Sequence, residues 1–152
     1  MAERILAIDF GLKRMGLAVS DALGVTAQGL ATLEHGRSKD DLEHIRKLVE
    51  EYAVELVVLG NPVSKLGTET EMSRQVVAFA EKLRRILACP VELWDERLTS
   101  AEANRMLRAS GISIEKRRRA ADRVAATLLL QSYLDFHANE RERMRASGAN
   151  QE

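Results

Sequence analysis

Apolar residues open the chain without interruption: Ile5, Leu6, Ala7 and Ile8 run directly into the carboxylate of Asp9. A run with no polar alternation is the pattern of a strand covered on both faces. After a turn holding Gly11, Lys13 and Arg14, residues 14–20 alternate. Met15, Leu17 and Val19 fall on one face and the small residues Gly16, Ala18 and Ser20 on the other. The small face leaves room for a backbone or a ligand to come close. Residues 26–34, "TAQGLATLE", form a weaker third strand, and the three predict a meander.

The period then changes. Ser38 with Asp41 has capping-box spacing, and Leu42, Ile45, Leu48, Val49 and Tyr52 follow at helical intervals. "VELVVLG" (54–60) is a short buried strand, and "NPVSKLG" is a loop. Thr68 with Glu71 caps a second helix, with Met72, Val76, Phe79, Leu83 and Ile86 on its inner face. Pro90 begins a fifth strand, "PVELWDE". Thr99 with Glu102 caps a third helix that Gly111 stops, the basic segment "ISIEKRRR" (112–119) connects, and a last helix runs over 120–137. Hairpins first and alternating helices and strands afterwards predict an α/β fold: a mixed five-stranded sheet with a parallel half and helices on both faces. Residues 1–137 form one domain, and 138–152, charged and then small and polar, form a flexible tail.

Composition narrows the class. The 152 residues carry 23 Lys plus Arg and 23 Asp plus Glu, so the formal net charge is zero and a uniform basic coat for nucleic acid is excluded, though a local basic patch is not. Cys89 is the single cysteine, which rules out a disulfide framework or a cysteine-based zinc site and suits a reducing cytoplasm. "MAERILAID" lacks the apolar core of a signal peptide, and no apolar run reaches membrane-spanning length. A cytoplasmic protein with no membrane partner is expected.

Three acids stand at the ends of predicted elements. Asp9 ends the first strand, the pair Asp95-Glu96 ends the last, and Asp122 lies in the first turn of the final helix. Asp122 precedes Ala126 by four residues, Leu129 by seven and Tyr133 by eleven, which places it on the side of its helix that faces the sheet. In open α/β sheets ligands bind beyond the carboxyl ends of the parallel strands, where Asp9 and the 95–96 pair meet if their strands run parallel. Carboxylates gathered there repel one another, and a hard divalent cation resolves the conflict. Two such ions roughly 3.5–4 Å apart suit in-line attack on a phosphodiester. Singly, each acid has a plainer role: Asp9 caps its turn, Asp122 complements a helix dipole, and Asp95 and Glu96 are solvated. Neighbours on a strand point to opposite faces, so the residues alone leave Asp95 and Glu96 as alternatives.

Cations border the same edge. Lys13 and Arg14 follow the Asp9 turn, Arg97 follows Glu96, and Lys116, Arg117, Arg118 and Arg119 lead into the Asp122 helix. Together they make a phosphate track around an acidic centre. Aromatic residues amount to 4%, too few for extensive base stacking. His35, His44 and His137 lack metal-ligand spacing and read as surface residues, and Cys89 reads as a structural thiol.

The strings "DFGLKRMGLAVSD" (9–21), "VVLGNP" (57–62), "DERLTSAEA" (95–103) and "ADRVAATLLLQSYLD" (121–135) resemble the YqgF/RuvX family, small bacterial proteins related to the resolvase RuvC. The likeness spans about Ile5 to Asp135. It implies an RNase H-like fold and a metal-dependent nuclease, using Mg²⁺ or Mn²⁺. The implied substrate is pre-16S rRNA, processed at its 5′ end, or branched DNA, cleaved as a Holliday junction resolvase by a dimer; the protein is then a monomer or a homodimer. The family's acids map onto Asp9, Glu96 and Asp122, which favours Glu96 over Asp95. RuvC-type enzymes carry an acid at the end of the fourth strand, where this chain has Gly60-Asn61-Pro62, so Glu96 substitutes from the fifth. "NPVSKLGTE" also departs from the family's commoner "LPLNMDGTE", with Leu66 in place of Asp.

Two other functions share these features. An actin-like ATPase also begins with an Asp-x-Gly turn, but needs a second lobe that 152 residues cannot supply. A non-catalytic RNA-binding assembly factor on a degenerate nuclease fold is compatible with the missing strand-four acid.

Overall fold

The uninterrupted apolar run becomes the central strand. In the computed structural model, which describes residues 4–62, 69–95 and 123–138, β1 (Arg4–Phe10) is followed by β2 (Arg14–Ser20), β3 (Ala27–Glu34), α1 (Ser38–Glu51), β4 (Val54–Asn61), α2 (Glu71–Ile86) and β5 (Val91–Asp95). Residues 123–138 form a further helix, α3. The strands make one sheet in the order β3-β2-β1-β4-β5. β1, β2 and β3 form the antiparallel meander, and β1, β4 and β5 run parallel. The helix expected over 99–111 and the basic connection lie outside the described residues.

Both faces of the sheet are covered, which is why β1 has no polar side to show. Leu6 and Ile8 pack with Ile45 of α1 and with Val76, Phe79 and Leu83 of α2. Ile5 and Ala7 pack with Ala126, Leu129, Leu130 and Tyr133 of α3. The three α3 positions used to orient Asp122, namely Ala126, Leu129 and Tyr133, are all buried against the sheet.

The small face of β2 serves this packing. Ala18 lies under α3, and the buried Ser20 hydroxyl accepts a hydrogen bond from the Ile5 amide at 2.8 Å. On β3, a Cβ at Gly29 would fall 2.5 Å from Arg123 Cγ, so glycine there lets α3 approach. Of the two occupants that the small face admits, a backbone or a ligand, a helix takes most of it, and its Gly16 end adjoins the carboxyl edge of β1.

Both described caps differ from the expected ones. Ser38 is the first residue of α1, and Arg37 at the cap position gives no side-chain hydrogen bond. Asp41 instead turns its buried carboxylate back to the Gly36 amide, 3.0 Å away. Helix α2 begins two residues later than the Thr68–Glu71 pairing implies. The Thr70 hydroxyl accepts from the Ser73 amide at 3.0 Å, and the Ser73 hydroxyl accepts from the Thr70 amide at 3.2 Å.

Candidate active site

Asp9 stands near the carboxyl end of the central strand, half-buried. Its face follows from its neighbours: Ile8 belongs to the α1/α2 side, Ala7 to the α3 side, so alternation puts Asp9 on the α3 side. Across the antiparallel ladder Asp9 is paired with Gly16. On the other flank, Ile8 pairs with Leu59, so the next residue of β4, Gly60, lies beside Asp9. The carboxylate thus has glycine on both neighbouring strands.

The turn beyond Asp9 is tight. The Gly11 amide donates to the Arg14 carbonyl at 2.9 Å, and a Cβ on Gly11 would sit 2.7 Å from that same oxygen. Lys13 is exposed at the turn. Arg14 is half-buried, shares the parity of Gly16 and therefore the Asp9 face, and pairs in register with Glu34 of β3.

Asn61 and Asp95 are register partners at the same edge. Leu93 packs on the α1/α2 side and Trp94 on the α3 side, so Asp95 falls on the face opposite Asp9 and is exposed. Asn61 shares that opposite face. Among the described residues its Oδ1 is a buried side-chain oxygen without a hydrogen-bond partner. The β4 residue on the Asp9 face is Gly60, which has no side chain. Glu96, Arg97, Lys116, Arg117, Arg118, Arg119 and Asp122 lie outside the described residues. Among the described residues no three His, Cys, Asp or Glu side chains come together as a metal site. The described part of the donor set nonetheless suits a hard cation: an oxygen donor at the strand end, with glycine on either side to leave space for further ligands.

His35 is the residue that the linear pattern misplaced. Its side chain is 19% exposed. Nε2 lies 2.7 Å from the Gly11 carbonyl oxygen, and Nδ1 lies 3.0 Å from Asp41 Oδ2. A signal was present in the sequence: Asp41 precedes Ile45 by four residues and so occupies the buried stripe of its helix.

The motif acid Asp21 shapes a turn. Its Oδ1 accepts from the amides of Val25 at 2.8 Å and Thr26 at 3.2 Å, and these bonds hold its carboxyl below the usual range. Burial pushes the Cys89 thiol up, which suits a structural thiol and not an activated nucleophile. A cavity of about 450 Å³ lined by Glu55, Pro90, Glu92, Tyr133 and His137 lies at the amino ends of β4 and β5, away from Asp9. Among the described residues no helix is long and apolar enough to cross a membrane.

Residues 3–136 match the RuvX family, described as Holliday junction resolvase. A Koribacter versatilis protein provisionally named pre-16S rRNA nuclease is 46% identical over 139 residues, covering 91% of each chain. A Clostridium novyi protein of the same provisional name is 42% identical, over 87% of this chain and 98% of its own. Among solved structures, fowlpox virus resolvase in complex with Holliday junction DNA superposes with a TM-score of 0.54 at 14% identity, over 87% of this chain and 97% of the resolvase. The architecture is RNase H-like.

Proposed function

This chain belongs to the RuvX family, and from that premise we propose that it is a divalent-metal-dependent nuclease, with pre-16S rRNA at its 5′ end as the favoured substrate. Asp9, Glu96 and Asp122 are its metal-holding and catalytic residues in this reading. The single observation that carries the proposal is the placement of Asp9: a half-buried carboxylate at the carboxyl edge of the central strand, glycine on both flanks, on the face that α3 covers.

The alternation of β5 supports Glu96 over Asp95. Asp95 belongs to the face opposite Asp9, which leaves it unsuited to share a ligand with that carboxylate. β1 and β5 are separated by β4, a span of about 9–10 Å at normal strand spacing. Gly60 leaves the path across β4 clear of a side chain, and glutamate is the longer of the two acids. In this reading Glu96 stands in for the strand-four acid. Ala126, Leu129 and Tyr133 are buried on the Asp9 side of the sheet, and Asp122 precedes them by four, seven and eleven residues in the sequence, which supports Asp122 as the third acid.

Mg²⁺ or Mn²⁺ held by these oxygens supplies charge neutralisation at a phosphodiester and a lowered pKa for bound water. The chain's own residues do the rest. The glycine flanks keep the carboxylate accessible, α3 covers the inner side of the edge, and Arg14 brings positive charge to the same face. Lys13, Arg97 and the run Lys116, Arg117, Arg118 and Arg119 serve as backbone-phosphate contacts, which position the nucleic acid without reading its sequence.

Branched DNA is the second reading, favoured by the family's description as Holliday junction resolvase. The deciding experiment offers the purified protein, with Mg²⁺ and with Mn²⁺, a labelled pre-16S rRNA leader and a labelled four-way DNA junction side by side. Cleavage of the leader alone is expected. Symmetric nicking of the junction with an intact leader assigns the resolvase function. Binding of RNA without cleavage of either substrate assigns the non-catalytic role.

A further inference from the structure

The turn that follows Asp9 is held from outside its own hairpin. The hairpin's own bond uses the Gly11 amide and the Arg14 carbonyl. The Gly11 carbonyl remains, and His35 Nε2 takes it at 2.7 Å. His35 also fixes the turn through its backbone, because its amide donates to the Lys13 carbonyl at 2.9 Å. The imidazole is itself held: Nδ1 lies 3.0 Å from Asp41 Oδ2, while Asp41 Oδ1 accepts from the Gly36 amide at 3.0 Å. The ring packs against Phe10 with centroids 4.9 Å apart, and Phe10 packs against Phe79 of α2 at 5.1 Å. A line of contacts thus runs from α1 through Asp41 and His35 to the peptide two residues past Asp9.

The bonding is directional. A carbonyl oxygen only accepts, so Nε2 is the donor to Gly11, while Nδ1 faces Asp41 Oδ2 and the ring is held from both sides. A buried carboxylate used only to cap α1 would be served by the Gly36 amide. The histidine adds the link to the turn.

We propose that His35, held by Asp41, is a positioning residue for the Asp9 site: it clamps the Gly11 carbonyl and so sets the turn that carries Asp9, Lys13 and Arg14. The proposal rests on the nuclease reading above. Sites of this kind require their ligating groups to be fixed within about 0.5 Å, and groups that orient a metal ligand commonly account for about 10- to 100-fold in affinity or rate.

The test compares wild type with His35→Gln, His35→Asn and Asp41→Asn. Glutamine's amide reaches toward the Gly11 carbonyl from the same backbone position, and asparagine's is too short. Three readouts are taken: kcat and KM for metal-dependent cleavage of the labelled leader, Mn²⁺ affinity, and hydrogen exchange at the Gly11 amide. His35→Asn is expected to lower kcat and Mn²⁺ affinity by about 10- to 100-fold with KM for RNA within about twofold, and to speed exchange at Gly11 while α2 amides keep their protection. His35→Gln is expected to recover most of the loss, and Asp41→Asn to fall between. Active variants with unchanged kcat, Mn²⁺ affinity and Gly11 exchange overturn the positioning role and leave the nuclease reading standing. A parallel loss in Gln and Asn variants that tracks their melting temperatures also overturns it, since that is a stability effect alone. A wild type that cleaves neither substrate overturns the nuclease reading, and this role with it.

Discussion

Asp9 is paired with Gly16 across the β1–β2 ladder. The pairing explains why a strand otherwise built for packing keeps a glycine at a buried position. Any larger side chain at 16 enters the space beside the carboxylate. Gly16→Val is expected to lower metal-dependent cleavage on the order of 100-fold, because small displacements of reacting groups are that costly. Its stability penalty should stay within about 1–3 kcal/mol, the range for overpacking. Steady-state kinetics alongside a urea melt check both; full activity in a folded Gly16→Val protein contradicts the crowding argument.

Thr70 joins the loop after β4 to α2. Its hydroxyl donates to the Pro62 carbonyl at 2.9 Å and accepts from the Ser73 amide. Thr70→Ala loses both and is expected to cost about 1–2 kcal/mol, the upper range for an N-cap. Chemical denaturation measures it, with an unchanged m-value marking a native-state effect.

Ala53 follows the α1 C-cap with φ of 52°, in the left-handed region that an L-residue adopts at a cost. Ala53→Gly removes that strain while adding freedom to the unfolded chain. The balance is expected to raise the unfolding free energy by up to about 1 kcal/mol, read as a higher melting temperature.

Asp21 supplies the pH-dependent contribution. The Val25 and Thr26 amides favour its ionised form, so its folded pKa lies below the 3.8 of an ordinary aspartate. Its stabilisation is complete above the unfolded value and disappears as pH falls through the folded one. Asp21→Ala is expected to be less stable than wild type at neutral pH. The two stability curves should converge as pH drops below 3.8. Parallel curves down to the acid limit would show that the carboxylate is not the cause.

Much of this architecture follows from periodicity. β1 has apolar residues at every position from 5 to 8 because helices cover it on both sides, and the sheet places it at the centre. The stripe of Ala126, Leu129 and Tyr133 correctly marks the buried side of α3. The caps were less legible because the capping pattern fits several nearby hydroxyls: Thr68 and Thr70 both precede the same helix, and Thr70 is bonded to both Ser73 and Pro62. The His35 clamp was only half legible, because the buried-stripe position of Asp41 marks one of its partners and nothing local marks the other. Its partner Gly11 is 24 residues away, and a contact that long-range leaves no mark on local spacing. The small face of β2 was ambiguous in the same way, since a helix and a ligand both ask for small residues, and the sequence does not say which one arrives.

The central claim is that Asp9 holds the metal on which cleavage depends. Its most direct test is the single-turnover rate on a labelled pre-16S rRNA leader across a Mg²⁺ titration, for wild type and Asp9→Asn, with matched circular dichroism spectra and melting curves. Wild type is expected to show a metal-dependent rate, and Asp9→Asn to lose about 4 kcal/mol of transition-state stabilisation, roughly 1,000-fold, while remaining folded. Equal rates and equal metal dependence in the two proteins would contradict the account.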